Sequence, residues 1–91
     1  MYIRWTAEAS DDLEQISLRI AENSRAVALK TVRIIFERIE QLALFPRKGR
    51  IGREPDTREL VISPLPWIVV YRAGESAVEI LRIWHGAQDR P

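Results

Sequence analysis

The sequence has no cysteine and a single histidine, His85, among 91 residues. The first absence excludes a disulfide framework and any thiolate-bound zinc. The second excludes a cluster of histidine ligands, so no metal or cofactor is expected. Lysine is scarce: of 14 basic residues only Lys30 and Lys48 are lysines. No apolar run approaches the roughly 20 residues that span a bilayer. The opening Met-Tyr-Ile-Arg-Trp-Thr lacks the basic-then-apolar layout of a secretory signal. A cytoplasmic protein with no membrane partner is therefore expected. What remains is ordinary folded composition, 46% apolar and 30% charged. A chain this short buries only about 60–65% of its unfolded surface, which fits one domain over residues 1–91 and no second core.

The net charge of +1 hides an asymmetry. Residues 1–24 carry two Arg against five acids, residues 25–53 eight basic groups against two acids, and residues 54–91 four Arg against six acids. The segments therefore stand at −3, +6 and −2. A basic middle segment suits nucleic acid or an acidic protein partner. It also suits a solvated helix face followed by a basic loop.

Tyr2–Trp5 alternates and reads as a short strand. Thr6 is a good N-cap, and Ala9, Leu13, Ile16 and Ile20 recur at helical spacing to about Glu22. Asp11 and Asp12 read as partners of that helix's dipole. Asn23-Ser24 breaks the helix, and Ser24 can cap a second one. There Ala28, Val32, Ile35, Ile39 and Leu42 form a stripe, widened by Leu29, Phe36 and Ala43. Phe45-Pro46 ends it, since proline disfavours a helical residue before it. So short a break predicts an antiparallel helical hairpin. Residues 47–55 read as a basic loop containing Arg47, Lys48 and Arg50. Residues 57–62, 67–72 and 77–84 read as strands. The order β-α-α-β-β-β predicts an α+β fold, a helical hairpin on a small, mostly antiparallel sheet.

Symmetric hairpins would place 62 opposite 67 and 72 opposite 77. One face would then collect Arg58, Leu60, Ile62, Trp67, Val69, Tyr71, Val78, Ile80, Arg82 and Trp84. A one-residue slip would reverse a strand's assignment. Both faces stay partly apolar, yet one helical hairpin covers only one. The uncovered face is expected to expose an apolar patch for a partner.

Arg58, Tyr71 and Arg82 share a face in this register, with Arg82 across from Trp67. Two guanidiniums beside aromatics suit phosphate, stacked bases or the carboxylates of an acidic partner. The plainer alternative is that each Arg lays its stem on apolar surface. Histidine is the side-chain type suited to proton transfer near neutral pH, and His85 could serve as a general acid or base. It equally suits a hydrogen-bonded structural role. No Ser-His-Asp set is assignable, and no glycine-rich phosphate loop follows a strand.

Three stretches carry a resemblance: Arg58-Glu-Leu-Val-Ile, Trp67-Ile-Val-Val-Tyr71-Arg72 and Val78-Glu-Ile-Leu-Arg82-Ile-Trp-His85-Gly-Ala-Gln-Asp. Ala9-Ser-Asp-Asp-Leu13-Glu and Leu42-Ala-Leu-Phe-Pro46 add to it. The chain resembles the RelE/ParE superfamily of bacterial type II toxin–antitoxin toxins over nearly its whole length. The resemblance implies a cognate antitoxin that wraps the toxin surface, forming a toxin–antitoxin hetero-oligomer. RelE-like members are metal-independent, ribosome-dependent mRNA endonucleases; ParE-like members inhibit DNA gyrase. For a nuclease, the matching positions are Arg58 and Arg82 as phosphate and transition-state binders, His85 as a proton-transfer group, and Lys48 and Arg50 as supporting charge. For a binding toxin, Arg47, Lys48, Arg50, Trp67, Tyr71 and Trp84 are the expected contacts. The chain departs from the nuclease pattern in its two lysines and in having no tyrosine after His85. Its helical stretch, about 40 residues from Thr6 to Phe45, is long for the compact nucleases. These departures favour the ParE-like reading.

Overall fold

The computed structural model describes residues 1–87. Strand β1 (Tyr2–Trp5) leads through Thr6 into helix α1 (Ala7–Ala21), followed by α2 (Arg25–Glu40) and a 3₁₀ turn, Gln41–Ala43. Strands β2 (Arg50–Ile51), β3 (Arg58–Val61), β4 (Trp67–Ala73) and β5 (Ala77–His85) complete it. The sheet runs β1-β5-β4-β3-β2, with β1 parallel to β5 and the other pairs antiparallel. The predicted order holds, with one addition. The basic loop contains β2, a two-residue edge strand that pairs Arg50 with Glu59 and Ile51 with Arg58. Its brevity between two glycines hid it.

Both helices begin as their sequences dictate. The hydroxyls of Thr6 and Ser24 accept from the amides of Ala9 and Val27, each at 3.1 Å. Ala9, Leu13 and Ile16 of α1 pack with Ile35, Ile39 and Leu42 against Leu60, Ile62, Val69, Tyr71, Val78, Ile80 and Ile83 of the sheet. The stripe on α2 is narrower than its periodicity suggests. Thr31 is buried, while Leu29 and Phe36 face solvent.

The register of β3 on β4 is the symmetric one, with Arg58 opposite Tyr71. That of β4 on β5 is not. Tyr71 faces Ile80 but Val70 faces Arg82, so the ladder skips Leu81. This bulge moves Arg82 and Trp84 off the face shared with Tyr71 and brings Ile83 onto it. Arg82 therefore lies opposite Val70, and His85, not Arg82, faces Trp67. The one-residue insertion reverses the pleat beyond it. Thr6 marks the place from the side: its N–H donates to the carbonyl of Ile80 at 3.0 Å, and its hydroxyl lies within 3.1 Å of the Ile80 and Leu81 carbonyls.

The expected apolar patch on the far sheet face is largely absent. Cross-strand pairs Arg50–Glu59 (2.9 Å) and Arg72–Glu79 (3.7 Å) occupy that face, and Ile68 there is buried. Val61 is exposed there beside Ile68, and the rest of the exposed large apolar surface lies on the helices (Leu18, Val27, Leu29, Phe36), around Leu44, Phe45 and Ile51, and at Met1 and Tyr2.

Gly49 meets a close approach. A Cβ there would lie 2.7 Å from the Tyr71 ring and hydroxyl and 2.8 Å from the Glu59 carbonyl. Gly49→Ala should therefore lower stability by about 1–3 kcal/mol, the usual cost of overpacking. Urea unfolding checks this, with a shifted midpoint and an unchanged slope.

Candidate functional site: the β5 groove and the basic loop

The residues singled out in the sequence separate into two places. Trp67, Arg82, Trp84 and His85 line an open groove of about 350 Å³ with Asp12, Gln15, Ile16, Arg19 and Ile83. Arg47, Lys48, Arg50, Arg58 and Tyr71 gather at the other side of the sheet, around β2 and the turn before it.

The groove exists because β1 is short. It pairs only with Ala77–Ile80, so the rest of β5 runs past its end. Asp12 of α1 fills that edge. Its carboxylate accepts from Arg82 Nε at 2.8 Å, from Arg82 Nη2 at 3.1 Å and from the Ile83 amide at 2.9 Å. An open strand edge is thereby closed by a side chain rather than by another strand. The hydrogen bonds that Arg82 donates to Asp12 raise its pKa above its ordinary value; burial opposes this, and the nearby charges of Asp12 and Glu8 add to it. The guanidinium carbon sits 5.0 Å from the centroid of Trp84, in cation–π range. Arg82 is thus held on two sides by the protein itself.

His85 packs edge-to-face on Trp67 with centroids 5.2 Å apart. Its Nδ1 accepts from the Ala87 amide at 3.0 Å. That contact ties the Nδ1 edge of the ring to the backbone.

Tyr71 is not a surface aromatic. It has no exposed area, and its hydroxyl donates to the Pro46 carbonyl at 2.7 Å and accepts from the Gly49 amide at 2.9 Å. Its expected contact with a partner is therefore withdrawn. Burial pushes the phenol pKa up, against the lowering effects of the Gly49 hydrogen bond and the Arg58 charge. A raised pKa means the folded state keeps its proton while the unfolded state loses it. Stability is intact below about pH 10 and should fall above it by about 1.4 kcal/mol per pH unit until the folded state also titrates. Alkaline unfolding of the parent and Tyr71→Phe checks this: the variant should lose most of that slope.

Arg58 also braces the turn. Its Nη1 donates to the carbonyls of Gly49 (2.8 Å) and Arg47 (3.4 Å). Lys48 Nζ donates to Gln41 Oε1 at 2.9 Å, and Arg50 pairs with the buried Glu59. Arg58 and Arg82, paired in the sequence reading as phosphate binders, do not converge on one ligand.

Asp12 is the residue that sequence reasoning misassigned. Sixth in α1, it lies beyond the first turn where a dipole partner acts. Its spacing from Ala9 and Ile16, three and four residues, placed it on the inward face.

The sequence profile described as the ParE toxin of type II toxin-antitoxin system, parDE, matches residues 3–90. The chain belongs to the ParE toxin family. The toxin is 38% identical over 89 residues to the toxin candidate Y4kP of Sinorhizobium fredii, spanning 98% of this chain and 92% of that one. It is 32% identical over 84 residues to Toxin RelE2 of Caulobacter vibrioides, spanning 92% and 93%. Among solved structures it superposes on a chain of the chromosomal ParDE toxin–antitoxin system from P. aeruginosa with a TM-score of 0.83. That pair is 28% identical, covering 93% of this chain and 95% of the other. YafQ from E. coli (TM-score 0.53, 15% identical, covering 93% and 92%) shares the fold. The chain is thus a type II toxin of the RelE/ParE superfamily with an antitoxin as its partner. Among the described residues, no helix is long and apolar enough to cross a membrane.

Proposed function

We propose that this toxin acts by protein contact, as an inhibitor of DNA gyrase, and that it is not an mRNA endonuclease. The observation that carries the reading is the occupation of Arg82. Its Nε–H and one Nη2–H are engaged by Asp12, and the carboxylate lies on the edge of the guanidinium that a scissile phosphate would use for a bidentate contact. A nuclease needs cations aimed at developing negative charge. Two arginines line the groove, Arg19 and Arg82, and beside Arg82 an anion would meet the carboxylate of Asp12. His85 Nδ1 is tied to the Ala87 amide, and Arg58 lies on β3, two strands away from β5, braced on the turn before β2. Membership of the ParE family supports the same reading.

A supercoiling assay with purified gyrase tests it. The toxin should block ATP-dependent supercoiling, its antitoxin should restore it, and His85→Ala should inhibit as the parent does. A toxin without effect on gyrase at stoichiometric excess overturns the proposal.

A further inference from the structure

The two most exposed large apolar side chains, Leu44 and Ile51, stand with Phe45 and positive charge at one corner of the molecule. Leu44 is 78% exposed, Phe45 61% and Ile51 74%. Arg47, Lys48 and Arg50 stand among them, all exposed. Among the described residues the Arg47 guanidinium has no hydrogen-bond or ion-pair partner. An aromatic held in water, next to an unspent charge, is the composition of a binding hot spot rather than of a solvated loop.

The corner is also rigid. Buried Tyr71 holds Pro46 and Gly49 by two hydrogen bonds, Arg58 holds Arg47 and Gly49 by two more, and the Lys48 amide donates to the Phe45 carbonyl at 3.1 Å. Four side-chain bonds from the sheet thus hold three of the four residues Pro46–Gly49. Among the described residues neither Leu44 nor Phe45 belongs to the hydrophobic core. A contact presented on a fixed backbone loses little entropy on binding.

We propose that this corner is the surface with which the toxin grips its protein target, and that the target offers an apolar socket for Phe45 and Leu44 rimmed by carboxylates. The sign of the rim follows from Arg47, Lys48 and Arg50 and from the +6 charge of residues 25–53. The antitoxin has a separate apolar surface available, a groove of about 460 Å³ lined by Trp5, Leu13, Leu18, Val32 and Phe36. The inference rests on the reading that the toxin works by protein contact, and narrows it to one corner.

The test uses Phe45→Ala, Leu44→Ser and Arg47→Glu in the full chain, read by growth arrest on induction, by gyrase inhibition and by affinity for the cognate antitoxin. Exposed positions tolerate such changes, so the folded state should persist with a melting temperature within a few degrees of the parent's. Phe45→Ala and Arg47→Glu should each weaken growth arrest and target inhibition about tenfold or more while antitoxin affinity changes less than about threefold. Unchanged growth arrest overturns the inference. Parallel loss of antitoxin affinity overturns it too, and marks the corner as antitoxin surface. Loss with Arg47→Glu alone, Phe45→Ala being silent, also overturns it, as plain electrostatic binding such as to nucleic acid. If the parent toxin spares gyrase yet its growth arrest depends on Phe45 and Arg47, the gyrase reading falls and this inference stands.

Discussion

Tyr71→Phe should destabilise the toxin by about 2–4 kcal/mol although it removes one oxygen atom. The phenol satisfies a carbonyl and an amide together, and each buried group left without a partner costs about 1–3 kcal/mol. The ring itself still fills its space, so no cavity forms. Against a total of roughly 5–14 kcal/mol for a chain of this size, the loss is a large fraction. It corresponds to a fall in melting temperature of at least about 8 °C. Calorimetry or urea unfolding measures it. A shift under 1 °C would mean that the turn at Pro46–Gly49 does not depend on the phenol. Tyr71→Phe should also blunt growth arrest in surviving folded protein, because two of the four bonds that hold the turn at Pro46–Gly49 are lost.

Asp12→Ala is expected to cost about 2–3 kcal/mol, through a different route. The carboxylate accepts three hydrogen bonds, two of them from a guanidinium. Bonds to charged groups contribute about 1.5–3 kcal/mol when buried, but Arg82 is 41% exposed, so water recovers part of the loss. The Ile83 amide recovers less. Asp12→Asn should be milder, since its amide oxygen still accepts while its NH₂ faces a donor. Adding Arg82→Leu to Asp12→Ala should cost less than the sum of the two single changes, because the pair acts as a unit. Additive losses in a double-mutant cycle would show that the two side chains are not energetically coupled.

The parts of this fold legible in the sequence are those set by local chemistry. Thr6 and Ser24 announced both helix starts, and Pro46 the end of the helical region. The β3–β4 register followed from its short turn. What was not legible depended on one residue acting across distance. Leu81 looks like any strand residue, and only the bulge at it sends Arg82 and Trp84 to one face and Ile83 to the other. With the bulge unseen, Arg58, Tyr71 and Arg82 seemed to form one site. Tyr71 read as a surface aromatic because a phenol in an apolar strand is ambiguous until its partners, 22 and 25 residues earlier, are known. Leu29 and Phe36 widened the apolar stripe of α2 beyond what the sheet covers, so apolar exposure moved from the sheet to the helices.

The central claim is that Arg82 and His85 shape a groove and cut nothing. Mapping of mRNA 5′ ends in a purified translation system, with and without the toxin, tests it most directly. The account predicts the same ends in both. Codon-positioned cleavage that appears with the toxin and vanishes with His85→Ala would contradict it.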